Sequence, residues 1–168
     1  MKMSRKITNI TNVSVLYDFF FKLEAAHYNG KPDLYDHKYK PKTQKDMWDG
    51  ECERIIKELV YNTNIFEAGG VVCYIPIDFD EHGPFYWHWF LKYDDAYFDG
   101  GTYTIFGKKH LSDIPFFKKY APQMSDYMLE DNMKTADNIE DFEKLMKWTR
   151  ILESPEKYHA GMETEDYK

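Results

Sequence analysis

The chain has 168 residues, 43% of them hydrophobic and 30% charged, which is the composition of a globular protein. Its 22 Lys and Arg against 29 Asp and Glu leave a net charge of −7, and no dense basic patch is present to displace counterions from a nucleic-acid backbone, so direct nucleic-acid binding is not expected. Two cysteines without a spaced framework, and no apolar N-terminal run of the signal-peptide or membrane-span kind, predict a soluble protein of a reducing cytoplasm with no membrane association.

A chain of this length predicts one domain over 1–168, with its core at about 14–153 and a polar, frayed tail at 154–168. After a polar lead-in of 13 residues, Leu16, Phe19, Phe20 and Leu23 recur at helical spacing, with Ser14 or Asn12 as the cap and Gly30 with Pro32 as the stop. Residues 31–45 are polar and Pro-punctuated and predict a surface loop. A second helix follows Asp49, its stripe formed by Ile55, Ile56, Leu59 and Val60. Residues 69–79 carry the β-branched enrichment of a strand, with Pro76 pointing to an edge or an irregularity. Residues 85–93 and 96–99 predict a hairpin about Asp94 and Asp95, and residues 102–106 a further strand. The pattern then returns to helix, most clearly where Ile139, Phe142, Leu145, Met146, Thr149 and Leu152 share a face behind Asp137 or Asn138 as cap. Helices packed on a small antiparallel sheet make an α+β fold.

Cys52 stands at the start of the second helix, where unpaired backbone N–H groups favour a thiolate, the form of a thiol that acts as nucleophile. Glu51 and Glu53 flank it and oppose that effect, so the thiol needs a cationic partner. Among six histidines, His88 is the one embedded in a strongly apolar strand. If the hairpin turn is the pair Asp94-Asp95, or a four-residue turn of the same register, Phe90 faces Asp99. His88, Phe90 and Asp99 then share one sheet face, His88 and Asp99 being diagonal neighbours roughly 7–8 Å apart at the backbone. A three-residue turn would put them on opposite faces. The face bearing Tyr86, His88 and Phe90 is expected to meet the Cys52 side of the second helix, and the face bearing Trp87, Trp89 and Leu91 to meet the C-terminal helix. An oxyanion hole would need the Cys52 N–H and one further donor, for which Gln44 is the candidate.

The run "GEC" opening a helix, His in "YWHWFLKY", and "YFDGG" after a hairpin resemble the Cys-His-Asp core of the papain-like and transglutaminase-like thiol enzymes, which include compact bacterial and phage forms. The resemblance covers roughly residues 44–106. It implies Cys52 as nucleophile, His88 as base and Asp99 as orienting acid. The chain departs from the pattern at Glu53, where many members carry an aromatic or small residue.

The expected function is therefore a small thiol-dependent hydrolase or acyltransferase acting on an amide or peptide bond of a protein, peptide or small amide, with no cofactor and no metal. The rival is a non-catalytic acidic interaction protein, such as a phage-type inhibitor or a nucleic-acid mimic, bound to a partner with a basic surface. Cys73, between Val71 and Ile75 on an apolar strand, reads as structural. His27, His37, Asp33 and Asp36 match no tight metal-ligand spacing, and His82 is a second base should the register differ.

Overall fold

The computed structural model describes residues 7–28, 52–78, 85–99 and 107–152, which form an α+β arrangement about a small four-stranded antiparallel sheet. The first helix, α1, spans Val13–Tyr28 and is started by Asn12, whose Oδ1 accepts the N–H of Val15 at 3.1 Å. Leu16, Phe19, Phe20 and Leu23 are all buried, as a 3.6-residue period requires. The segment before it is more than a polar lead-in. Thr8 bridges in parallel to Thr63, and Ile10 donates its N–H to Asn64 Oδ1 at 2.6 Å, which seats the Ile10 side chain in the core.

Helix α2, Cys52–Asn62, buries Ile55, Ile56, Leu59 and Val60. Thr63 closes it by donating its hydroxyl to the Leu59 carbonyl at 2.6 Å. The chain then turns through Gly69, at φ +96°, into Gly70, where a Cβ would collide with the Ile65 side chain at 2.4 Å. Glycine is required at both positions, and the pair ends a turn and starts a strand.

Strands β1 (Val71–Asp78), β2 (Phe85–Tyr93), β3 (Ala96–Phe98) and β4 (Lys134–Ala136) lie in the order β3-β2-β1-β4. Pro76 faces Trp87 of β2, whereas the β4 pairing ends at Tyr74 opposite Lys134, so β1 has a described strand neighbour on one side only at the proline. The hairpin pairs Tyr93 with Ala96, Lys92 with Tyr97 and Leu91 with Phe98. Asp94 and Asp95 take φ of +52° and +59°, the paired left-handed conformation of a two-residue primed turn. That turn is the register on which the shared face of His88 and Asp99 depends.

The alternating side chains of the sheet feed two cores. Val72, Tyr74, Trp89, Leu91 and Phe98 meet α1, α2 and Phe142 of α5 (Ile139–Leu152). Cys73, Ile75, Ile77, Phe90 and Tyr97 meet a 3-10 turn at Leu111–Asp113, α3 (Pro115–Tyr120) and α4 (Asp126–Asp131). The body of α2 therefore covers the Trp89 and Leu91 face together with α5, and not the His88 and Phe90 face as the sequence suggested. Alternation determines which residues share a face but leaves open which element covers it. Asn138 caps α5 by accepting the Asp141 N–H at 2.8 Å; Phe142 and Thr149 are buried, while Ile139 in the first turn is 42% exposed. The expected loop at 31–45 and strand at 102–106 lie outside the described residues.

Trp89 is the largest fully buried side chain, packed on Tyr74 at 4.8 Å and Phe142 at 5.9 Å between ring centroids. Trp89→Ala is expected to cost about 3–5 kcal/mol in urea unfolding. Replacing Asp94-Asp95 by Asn-Gly should instead stabilise the protein by about 1 kcal/mol, because L-residues in the left-handed region are strained and Asn-Gly is the preferred pair there. A loss of stability in that variant would show that the turn is of another type.

Candidate active site

His88 lies inside β2 opposite Ile75 of β1 and is 1% exposed. Its Nε2 is 2.7 Å from Asp99 Oδ2, and Asp99 is itself 3% exposed. Asp99 directly follows β3, and continuing the hairpin register places it opposite Phe90, diagonal to His88. The carboxylate thus reaches the ring from the next strand position without any bulge in the hairpin.

Cys52 is the first residue of α2, half-buried at the margin of the core that the rest of that helix fills. Although the body of α2 serves the other face, its first residue lies close enough to the imidazole for the sulfur to favour the protonated ring. The edge of β2 makes this geometrically reasonable. Strand β3 ends at Phe98, so alongside His88 the edge has no strand neighbour among the described residues. As a first-turn residue, Cys52 also carries one of the backbone N–H groups that a helix cannot pair internally. Glu53 follows in the same turn, where a carboxylate complements the positive end of the helix.

Burial by itself drives an imidazole toward its neutral form. Here the Asp99 carboxylate outweighs it through charge and hydrogen bond, and the Cys52 sulfur adds the same two effects, so His88 is raised to about 10. The ring is therefore a cation across neutral pH, with its Nε2 on the Asp99 carboxylate. Aromatic rings enclose it: Phe116 lies flat against it at 4.2 Å and 6°, Phe117 stands edge-on at 5.8 Å and 90°, and Phe90 stacks at 6.0 Å and 18°.

The residues expected to act together thus divide. Cys52, His88 and Asp99 come together; Gln44 lies outside the described residues, as do His82, His37, Asp33 and Asp36. Cys73 is fully buried, with its Sγ 3.6 Å from the Val71 carbonyl, and burial pushes its thiol up to about 12 despite the nearby Lys92. It is a packing residue that stays protonated. Among the described residues no group of three or more His, Cys, Asp or Glu side chains is arranged to hold a metal ion, and no helix is long and apolar enough to cross a membrane. A cleft of about 480 Å³ lined by Ile7, Tyr61, Phe66 and Ile139 sits at the far end of α2, roughly 13 Å along the helix from Cys52, and takes no part in this constellation. Sequence reasoning missed the Phe116 and Phe117 lining. An apolar pair after a proline signals a buried short helix, but only the tertiary fold brings it to His88.

Comparison with protein-family models, with curated proteins and with solved structures finds no match for this chain.

The raised His88 value ties stability to pH. A cation favoured in the folded state contributes stability that is complete below the unfolded value of about 6.5 and is lost as pH rises through about 10. Between pH 6.5 and 9 the wild-type urea midpoint should fall, whereas in Asp99→Asn, which lacks the anion, it should be nearly flat. At pH 7 that variant is expected to be less stable by about 3 kcal/mol. Parallel pH profiles for the two proteins would show that the pair does not hold the proton.

Proposed function

We propose that the protein is a small thiol hydrolase or acyltransferase acting on an amide or peptide bond, built on a papain-like or transglutaminase-like core and using Cys52, His88 and Asp99. The observation that carries this reading is the buried His88–Asp99 hydrogen bond of 2.7 Å with a helix-start cysteine on the same imidazole. A structural histidine needs one satisfied contact, whereas a thiol and a carboxylate on one ring form a nucleophile, a proton carrier and an orienting acid.

The chemistry follows from these groups. Cys52 reacts as the thiolate, its proton already carried by the His88 imidazolium that Asp99 holds. The sulfur attacks the carbonyl carbon, and the carbonyl oxygen becomes an oxyanion facing the backbone N–H of Cys52. When the intermediate collapses, the C–N bond breaks, His88 gives its proton to the departing amine, and an acyl-thioester is left on Cys52. Water, or an acceptor amine in a transferase, loses a proton to the now neutral His88 as it attacks the thioester, and the Cys52 thiolate beside a protonated His88 is regenerated as the product leaves. No metal or organic cofactor enters any of these steps.

The net charge of −7 favours neutral or basic protein, peptide or amide substrates over acidic ones. The second reading, an acidic interaction protein with a basic-surfaced partner, draws on that charge and on the carboxylate of Glu53 next to the thiol.

Iodoacetamide labelling separates the two. In a Cys73→Ser background, Cys52 should be alkylated readily at pH 7; His88→Ala should slow this by about tenfold or more, and Cys52→Ala should abolish both labelling and amide turnover without loss of fold. A Cys52 that reacts at the same rate with and without His88 would remove the enzymatic reading and leave the interaction protein.

A further inference from the structure

We propose that Phe116 is a positioning residue for His88, whose flat contact fixes the plane of the imidazole and favours its cationic form between Asp99 and Cys52. The inference rests on the thiol-enzyme reading only for its consequence at Cys52; its effect on His88 stands apart from it.

A hydrogen bond from Nε2 to Asp99 anchors one atom of the ring and leaves the ring able to tip about that anchor. Tipping would swing the opposite edge away from the sulfur. A second ring lying parallel at 4.2 Å with only 6° between the planes removes that freedom, because any tilt closes one side of the contact and opens the other. The edge-on contact of Phe117 at 5.8 Å and 90° blocks motion in a second direction.

Their placement follows from the sequence. Pro115 begins α3, so Phe116 and Phe117 are successive helical residues whose side chains diverge by about 100°, one offering a face and the other lying across it. Phe116 is held in turn by Tyr120, four residues on at 4.8 Å, over which Lys119 lies at 4.9 Å.

The face of a phenyl ring carries the negative part of its quadrupole and attracts a cation placed over it. It does so without bearing a charge or taking the proton, so the cation is stabilised while Asp99 and Cys52 keep their hydrogen-bonding roles. Among the described residues, the titratable groups acting on the imidazole are Asp99 from the end of β3 and Cys52 from α2. The neighbouring Ile75 of β1, Phe90 of β2, and Phe116 and Phe117 of α3 carry no charge. Lys118 and Lys119 of α3 are exposed.

The test replaces Phe116 by Leu, by Tyr and, with its shape kept, by pentafluorophenylalanine, which reverses the quadrupole. The His88 ring signals are titrated by NMR, and the pH profile of Cys52 alkylation is recorded in the Cys73→Ser background. In the Leu and pentafluoro variants the His88 midpoint should fall by about one pH unit, with Phe116→Tyr close to wild type. Alkylation of Cys52 near neutral pH should fall in the same order. Should the Leu variant fail to fold, the pentafluoro variant decides alone. An unchanged His88 midpoint in a folded pentafluoro protein overturns the proposal. A shifted midpoint in a protein whose Cys52 alkylation is indifferent to His88→Ala sustains the role of Phe116 and removes the thiol-enzyme reading instead.

Discussion

The hydrogen bond between His88 and Asp99 is the contact about which the described residues are organised. Two ionisable side chains, each at least 96% buried, persist only when they are paired, since an isolated charge at either position would have to neutralise or drag in water. The pairing is made possible by a two-residue turn. Asp94 and Asp95 both accept left-handed backbone so that the strands return in the register that sets Asp99 diagonal to His88. Shifting that register by one residue would turn Asp99 to the opposite face and leave the imidazole among apolar rings. The strain at the turn and the ion pair inside are thus two parts of one local solution.

The two-faced sheet allows this polar pair to coexist with a large apolar core. Trp89 and Leu91 look into the layer formed by α1, α2 and α5, which contains the largest buried side chains. His88 looks the other way, into a smaller aromatic layer supplied by residues 107–131. Hydrophobic burial is therefore concentrated on one face, and the other holds the buried His88–Asp99 pair. Cys52 belongs to both, as the half-buried end of a helix whose remaining apolar residues serve the first layer. A side chain at such a junction is fixed by the main core yet lies at the edge of β2 beyond the end of β3.

Much of this was legible in the sequence where the signal was local. The hairpin register could be derived because turn length alone determines which residues oppose each other, and Tyr93 does pair with Ala96. The stripes of α1, α2 and α5 were legible because three or four apolar residues at helical spacing have few other solutions, and of the two caps offered for α1 and α5 the asparagine serves in each case. Strand β4 was not legible: Lys134–Ala136 is three residues long and is a strand only because β1 has an edge to pair with. The covering of the two sheet faces was not legible either. Alternation is symmetric between the faces, and the choice between them is made by connections and by the volumes of Trp89 and Phe142, which are properties of the assembled layers.

The same distinction explains why Cys52 could be singled out while Phe116 could not. A cysteine at a helix start has a chemical meaning before any tertiary contact is known, because the helix end is itself a source of partial charge. A phenylalanine acquires a role beyond burial only from what its ring faces, and here it lies flat against an imidazole at 4.2 Å. Asp99 determines where the proton charge is balanced. The aromatic plane bears on which way the ring points, and under the proposed thiol chemistry both would matter, because proton transfer depends on the direction of the N–H as much as on its energy. The unusual aromatic content of the chain is therefore more than core filling at this position: the rings add no charge of their own, and among the described residues the Asp99 carboxylate and the Cys52 sulfur favour the proton on His88.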